Sequence, residues 1–195
     1  MNKKVLVPIA DGSEEIEAVT IIDVLRRAGA IVTVAGVGAL QITASRGVKI
    51  VADTTISDCV DETYDLIALP GGMPGAENLY ASETVRDLLN AQLDENRLIA
   101  AICAAPAVVL APMGLLKNKH ATCHPNFIGK LGDAISSGDR VVVDGRIITS
   151  QGPGSALEFA VKLTAILFGE AKAAEVAEPM VFPSPDRIKS LPDQI

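Results

Sequence analysis

Three stretches of this chain carry residues whose types and spacing suit chemistry: AICAAPA around Cys103, LPGGMPGA around Gly71 and Gly72, and ADGSEEIE with Glu14, Glu15 and Glu17. In the first, the apolar run RLIAAIC ends on a cysteine, and the pattern APAVVL follows at once. A strand-to-helix turn of this kind sets the intervening residue on a sharp corner with its side chain exposed. Ala101, Ala104 and Ala105 leave room for that turn. The free N–H groups and the dipole of the helix start would face Cys103, which predicts a lowered thiol pKa and a nucleophilic, oxidisable thiolate. The competing reading is an inert core cysteine, because free cysteine is often buried. The place of Cys103 at the end of the strand, not its middle, favours the reactive reading.

The glycines of LPGG follow another apolar run and leave main-chain N–H groups open to a ligand, so Gly71 and Gly72 are oxyanion-hole candidates, with an ordinary turn as the alternative. No Gly-Lys-Ser/Thr follows, so this is not a phosphate-binding P-loop. Glu14 and Glu15 fit solvated carboxylates at a helix start. Glu17 is spaced toward the apolar face, where a carboxyl group is desolvated, stays protonated and can exchange a proton with a thiolate. His124, in CHPN, could orient a base, polarise a substrate or cap a turn. His120 reads as a surface residue. Cys59 and Cys123 lack a helix-start setting and read as structural. Gly36-Val37-Gly38 lacks the third glycine of a dinucleotide site.

These turns need a frame that brings them together. KKVLVPIA, IVTVAGV, YDLIALPGG, RLIAAIC and RVVVDGRIITS read as strands. They alternate with amphipathic stretches: SEEIEAVTIIDVLRRAGA, with Ser13 as N-cap and Gly29 as stop, then SETVRDLLNAQLDEN, APAVVLAPMGLL, GPGSALEFAVKLTAILFGE and a short EAKAAEVAEPM. In the first helix Ile16, Val19, Thr20, Asp23, Val24 and Arg27 step by threes and fours, and the inner face also uses Ile21 and Leu25. LQITASRGVKIVAD reads as a hairpin around Ser45-Arg46-Gly47, and ATCHPN as a further strand. Alternation of this kind predicts an α/β fold with a mostly parallel sheet and helices on both faces. In such sheets ligands gather beyond the carboxyl ends of the strands, which would put the three turns on one edge. Residues 1–178 are expected to form one domain, and 179–195 a Pro-rich tail.

The 195 residues carry a net charge of −7 with a pI of about 4.8, which argues against an obligate nucleic-acid partner. No apolar run is long enough to span a membrane. The three cysteines form neither a C-x-x-C pair nor a disulfide framework, which predicts a reducing, cytoplasmic setting. No metal or other cofactor is expected; Cys123-His124 alone leaves metal ligation open.

DGSEEIEAVTIIDVLRRAG, ASRGVKIVAD, YDLIALPGG, AICAAPAVVL and SQGPGSALEFAVKL together resemble the ThiJ/PfpI superfamily, and within it the DJ-one branch, over about Lys3 to Met180. The resemblance implies a flavodoxin-like three-layer sandwich and a homodimer. It implies Cys103 as nucleophile, Glu17 as the protonated carboxyl hydrogen-bonded to it, the N–H groups of Gly72 and Ala104 at the oxyanion position, and His124 nearby. It also places Arg46 of the hairpin and Arg27 at the end of the first helix near the site and interface. Peptidases of the superfamily carry a histidine directly after the nucleophile, where this chain has Ala104. Related glutamine amidotransferases need a late His-x-Glu pair, and the last histidine here is His124. The branch implies a glutathione-independent glyoxalase or protein deglycase acting on methylglyoxal, glyoxal or their early protein adducts. The alternative is an oxidative-stress sensor with chaperone-like activity that works through oxidation of Cys103. A thiamine-related role, suggested by the superfamily name, has no supporting thiazole or phosphate site.

Overall fold

The computed structural model describes residues 3–182. In chain order the elements are β1 (Lys4–Ile9), α1 (Glu15–Arg27), β2 (Ile31–Gly36), β3 (Gln41–Thr43), β4 (Lys49–Val51), β5 (Thr54–Thr55), β6 (Leu66–Leu69), α2 (Gly75–Ala81), α3 (Glu83–Asp94) and β7 (Leu98–Ile102). After a π-helical turn at Pro106–Leu110 come β8 (His120–Ala121), β9 (Ile135–Ser136), β10 (Val141–Asp144), β11 (Ile147–Ser150), α4 (Ala156–Phe168) and α5 (Glu170–Ala177).

One seven-stranded sheet runs in the order β10-β11-β7-β6-β1-β2-β5, parallel throughout except for β10. Its inner order β2-β1-β6-β7-β11 is that of a flavodoxin-like sheet. Apolar residues fill β6 and β7, and every residue of both is buried, as a parallel strand covered on both faces requires. The crossover from β1 to β2 and the one from β6 to β7 run in opposite directions across the sheet. Right-handed connections therefore put α1 on one face and α2 and α3 on the other. α4 and α5 pack with α1 on its face. The strand order reverses between β1 and β6, so the loops leaving β1, β6 and β7 share the carboxyl edge of three adjacent strands.

The hairpin appears as expected, with β3 and β4 antiparallel around a turn at Gly47. Several other elements depart from the sequence reading. α1 is capped by Glu14, not Ser13, whose hydroxyl accepts the Ala10 N–H instead. The buried stripe of α1 is Glu17, Ala18, Ile21, Val24 and Leu25, while Ile16 and Val19 face outward. Both stripes satisfy helical spacing, and only packing chooses between them. The segment after β7 is a π-helical turn followed by irregular turns, not a long α-helix. α2 emerges from what reads as a plain turn, because the three glycines and two prolines of LPGGMPGA mask the helix start at Gly75. The strand expected over ATCHPN is limited to His120–Ala121. One apolar core runs along the sheet through β1, β6 and β7. Of the expected tail, residues 183–195 lie outside the described residues.

Candidate active site

The loop after β1, the Pro70-Gly71-Gly72 turn after β6 and the Cys103 corner after β7 meet at the carboxyl edge. Their contact depends on glycine. A side chain on Gly71 would put its Cβ 2.6 Å from Cβ of Cys103, and one on Gly72 would strike the Gly12 carbonyl oxygen at 2.4 Å. Gly72 also has φ +84°, a left-handed conformation that a side chain strains. The Glu14 N–H donates to the Gly71 carbonyl at 3.0 Å, which ties the first loop to the second.

Cys103 itself holds φ +65°, which a non-glycine residue adopts only when its surroundings force it. They do so here from both sides. Its N–H donates to the carbonyl of Ser150 at 2.9 Å, and its carbonyl accepts the N–H of His124 at 2.8 Å. Cys103 is only 8 % exposed and lines a cleft of about 350 Å³ with Glu14, Arg46, Met73, His124, Phe127 and Pro153 among others. The main-chain N–H groups of Gly72 and Ala104 lie by its sulfur and favour its anionic form.

Glu17 lies beneath the cleft, fully buried. Its Oε2 accepts the Gly71 N–H at 2.7 Å, while Oε1 has no hydrogen-bond partner. Burial pushes the carboxyl up to about 7, against the Gly71 hydrogen bond and the neighbouring Cys103 thiol, and the charge of Glu14 adds to the rise. Cys103 differs from the sequence expectation of a lowered thiol pKa. Burial first, and then the negative charge of Glu17, push it up to about 12, although the N–H groups of Gly72 and Ala104 pull it down. Two physical reasons account for the difference. The helix expected to present its dipole is a short π-helical turn, and the thiol is desolvated rather than exposed. The two groups also act on each other: the repulsion on the thiolate exists only while Glu17 is charged, and it vanishes when Glu17 takes the proton. With Glu17 at about 7 and Cys103 at about 12 the shared proton rests on sulfur, and its transfer to Glu17 removes that repulsion, giving a neutral carboxyl beside an anionic sulfur with the Oε1 side of Glu17 free to donate.

His124 lines the same cleft, and its Nδ1 accepts the Asn126 N–H at 3.2 Å, so it both caps a turn and faces the site. Arg46 stands at the rim. Arg27 does not reach the site within this chain: it lies at the far end of α1, paired with Asp23 at 2.6 Å. His120 is exposed. Cys59 and Cys123 are buried, and burial raises both thiols, Cys123 to about 11. Glu14 and Glu15 are not the solvated carboxylates expected; they are 9 % and 8 % exposed. Glu15 accepts from the Ser45 hydroxyl at 2.8 Å and from the Arg46 N–H at 2.9 Å, and so holds the hairpin against α1. Burial opposes its ionisation, but these bonds leave it below its ordinary value. Phe127, Met73 and Pro153 carried no signal in the sequence, because each reaches the cleft from a different loop. Among the described residues no group of three or more His, Cys, Asp or Glu side chains could hold a metal, and no helix is long and apolar enough to cross a membrane.

A flavodoxin-like sheet with a strained cysteine corner over a buried carboxyl defines a class of cysteine-centred α/β proteins. Residues 3–166 match the profile of the DJ-1/PfpI family, and the chain belongs to that family. It is 48 % identical over 187 residues to protein DJ-1 homolog B of Arabidopsis thaliana, covering 94 % of this chain and 43 % of that protein. The chain spans less than half the length of the two Arabidopsis relatives, at 43 % and 46 %. It is 38 % identical to the glutathione-independent glyoxalase DJR-1.2 of Caenorhabditis elegans, covering 90 % of this chain and 94 % of that one. The structure of oxidized Toxoplasma gondii DJ-1 superposes with a TM-score of 0.91 at 47 % identity, covering 93 % of this chain and all of that one.

Proposed function

We propose that this chain is a glutathione-independent glyoxalase or protein deglycase, acting on methylglyoxal and glyoxal or on their early protein adducts. The observation that supports this reading most is the buried Glu17, whose Oε1 is unpartnered, set beside a cysteine whose sulfur meets two main-chain N–H groups. The Cys103 thiolate adds to the aldehyde carbon of methylglyoxal, and the oxyanion that forms accepts from the N–H groups of Gly72 and Ala104. Glu17 gives its proton to that oxygen, which completes a hemithioacetal and leaves Glu17 a carboxylate. Glu17 then removes the hydrogen of the former aldehyde carbon as a proton, giving an enediol, and a proton returns to the neighbouring carbon. The first carbon is thereby oxidised to the acyl level and the ketone reduced to an alcohol, with no outside oxidant. Water cleaves the resulting thioester to lactate and the free thiol. An early adduct on Cys, Lys or Arg enters the same route by transferring its aldehyde carbon to the Cys103 sulfur, which releases the side chain. His124 borders the cleft where it can polarise the substrate carbonyl.

The chain is proposed to act as a cytoplasmic homodimer, without metal or cofactor. Ile16 and Val19 on α1, with Val48 and Val51 on the hairpin, are exposed apolar side chains that such a dimer would cover, with Arg27 on the same helix. The test of function is lactate formation from methylglyoxal without glutathione, in the native chain and in Cys103→Ser and Glu17→Gln. Turnover lost in both variants supports the reading, and full turnover in Cys103→Ser overturns it.

A second reading, as an oxidative-stress sensor with chaperone-like activity, rests on the same pair. Peroxide would convert the thiolate to a sulfenate and then a sulfinate, whose oxygens could accept from Gly72 N–H, Ala104 N–H and a protonated Glu17. Absence of turnover in the reduced native protein, with two oxygen atoms added at Cys103 before Cys59 or Cys123, favours this reading over the first.

A further inference from the structure

Glu14 plays no part in the steps above, yet it is built into the site. Its N–H donates to the Gly71 carbonyl at 3.0 Å. The Gly71 N–H donates to Glu17 Oε2 at 2.7 Å, and the Glu17 N–H donates to Glu14 Oε2 at 2.8 Å. These bonds close a ring through Glu14, Gly71 and Glu17, and Gly71 packs directly on Cys103. Capping alone favours Ser, Asp, Asn or Thr over Glu. The longer arm of Glu14 lets its carboxylate border the cleft beside Cys103 while it caps.

We propose that Glu14 is a positioning residue of the Cys103–Glu17 pair: its carboxylate pins the Glu17 amide and, as a negative charge beside the Glu17 side chain, raises the share of the state in which Glu17 holds the proton and the sulfur carries the anion. The charge of Glu14 contributes to the rise of Glu17, after burial. The groups facing the Glu17 carboxyl are few. Cys103 approaches from the corner after β7, the Gly71 N–H from the turn after β6, and Glu14 from its own helix. Arg46 of the hairpin and His124 of the loop after β8 border the cleft, while Glu15 is spent on Ser45 and Arg46.

Glu14→Gln tests this, because the amide oxygen can still accept the Glu17 N–H while the charge is gone. Without that charge Glu17 ionises at lower pH, and a smaller share of the pair carries its anion on sulfur. The inference rests on Cys103 and Glu17 being the reactive pair. Its readout, alkylation of Cys103 by iodoacetamide followed by peptide mass mapping, needs no turnover, so failure of the glyoxalase reading is a separate result. Glu14→Gln should lower the neutral-pH plateau of the alkylation rate roughly fivefold, equivalent to about 1 kcal/mol at 1.36 kcal/mol per tenfold. It should also shift the acid limb of the profile to lower pH. A Glu14→Gln profile that overlays the native one overturns the proposal. Glu14→Asp keeps the charge and must retain the native profile even where the shorter arm lowers the melting temperature. An Asp variant that behaves like the Gln variant overturns it equally.

Discussion

The contact between Gly71 and the Cys103 corner can be tested by filling it. In Gly71→Ala the new Cβ would stand 2.6 Å from Cβ of Cys103, 2.8 Å from the carbonyl oxygen of Ile102 and 2.9 Å from the nitrogen of Ala104. Carbon atoms in contact prefer about 3.5–4.0 Å, so the corner must retreat by about 1 Å. None of the three atoms is the end of a flexible side chain. Cys103 is tied to Ser150 and His124 through its backbone, so the movement spreads into β11 and the loop after β8. Overpacking of this kind costs about 1–3 kcal/mol. At about 2–4 °C per kcal/mol for a chain of this size, the melting temperature should fall by roughly 2–12 °C. The kinetic effect is larger, because a displacement of about 1 Å at a reacting atom costs on the order of a hundredfold. The assays are lactate production from methylglyoxal and the alkylation rate of Cys103, each beside a melting curve. Gly129→Ala is the control: a Cβ there meets nothing within 4 Å. It should stay within about 0.5 kcal/mol of the native protein. Native turnover and native alkylation in a folded Gly71→Ala protein would refute the claim that this contact sets the position of the sulfur.

Glu17 rises from 4.5 to about 7 on folding, so between those values the unfolded chain has lost a proton that the folded chain keeps. Its contribution is therefore fully present below about 4.5 and declines as pH rises through about 7, by about 3 kcal/mol in total. Urea denaturation across that window should show this decline in the native chain and not in Glu17→Gln, whose side chain cannot ionise; equal slopes would contradict it. Glu15→Ala removes the acceptor of the Ser45 hydroxyl and the Arg46 N–H. It should cost about 2 kcal/mol and speed hydrogen exchange at the Arg46 amide, and unchanged exchange there would show that the hairpin holds its place without Glu15.

Much of the architecture was legible because it is written in local pattern. The apolar runs of β6 and β7 and the helical spacing of α3 and α4 are near-neighbour signals, and their alternation specifies a parallel sheet. The position of Cys103 at the end of such a run, and of two glycines at the end of another, pointed to one edge of that sheet. Glu17 was legible as a carboxylate spaced toward an apolar face. Resemblance to a known family added the pairing of Glu17 with Cys103, which spacing alone could not give. On α1 the expected inner positions Ile21, Val24 and Leu25 are buried, whereas Ile16 and Val19 of the same helical series are exposed.

The identities and order of the residues at the carboxyl edge follow from the sequence, since chain pattern decides which residues end strands. The state of those residues was decided only by tertiary structure. Desolvation and charge act through space: the sulfur of Cys103 is raised by burial and by a carboxyl from another element, where the local helix start alone predicted the reverse. Glu14 and Glu15 likewise look alike along the chain. In the fold one caps α1 at the cleft and the other anchors a hairpin thirty residues away, because β6 and β2 flank β1 and bring the chain that follows each of them within hydrogen-bond reach of the loop after β1.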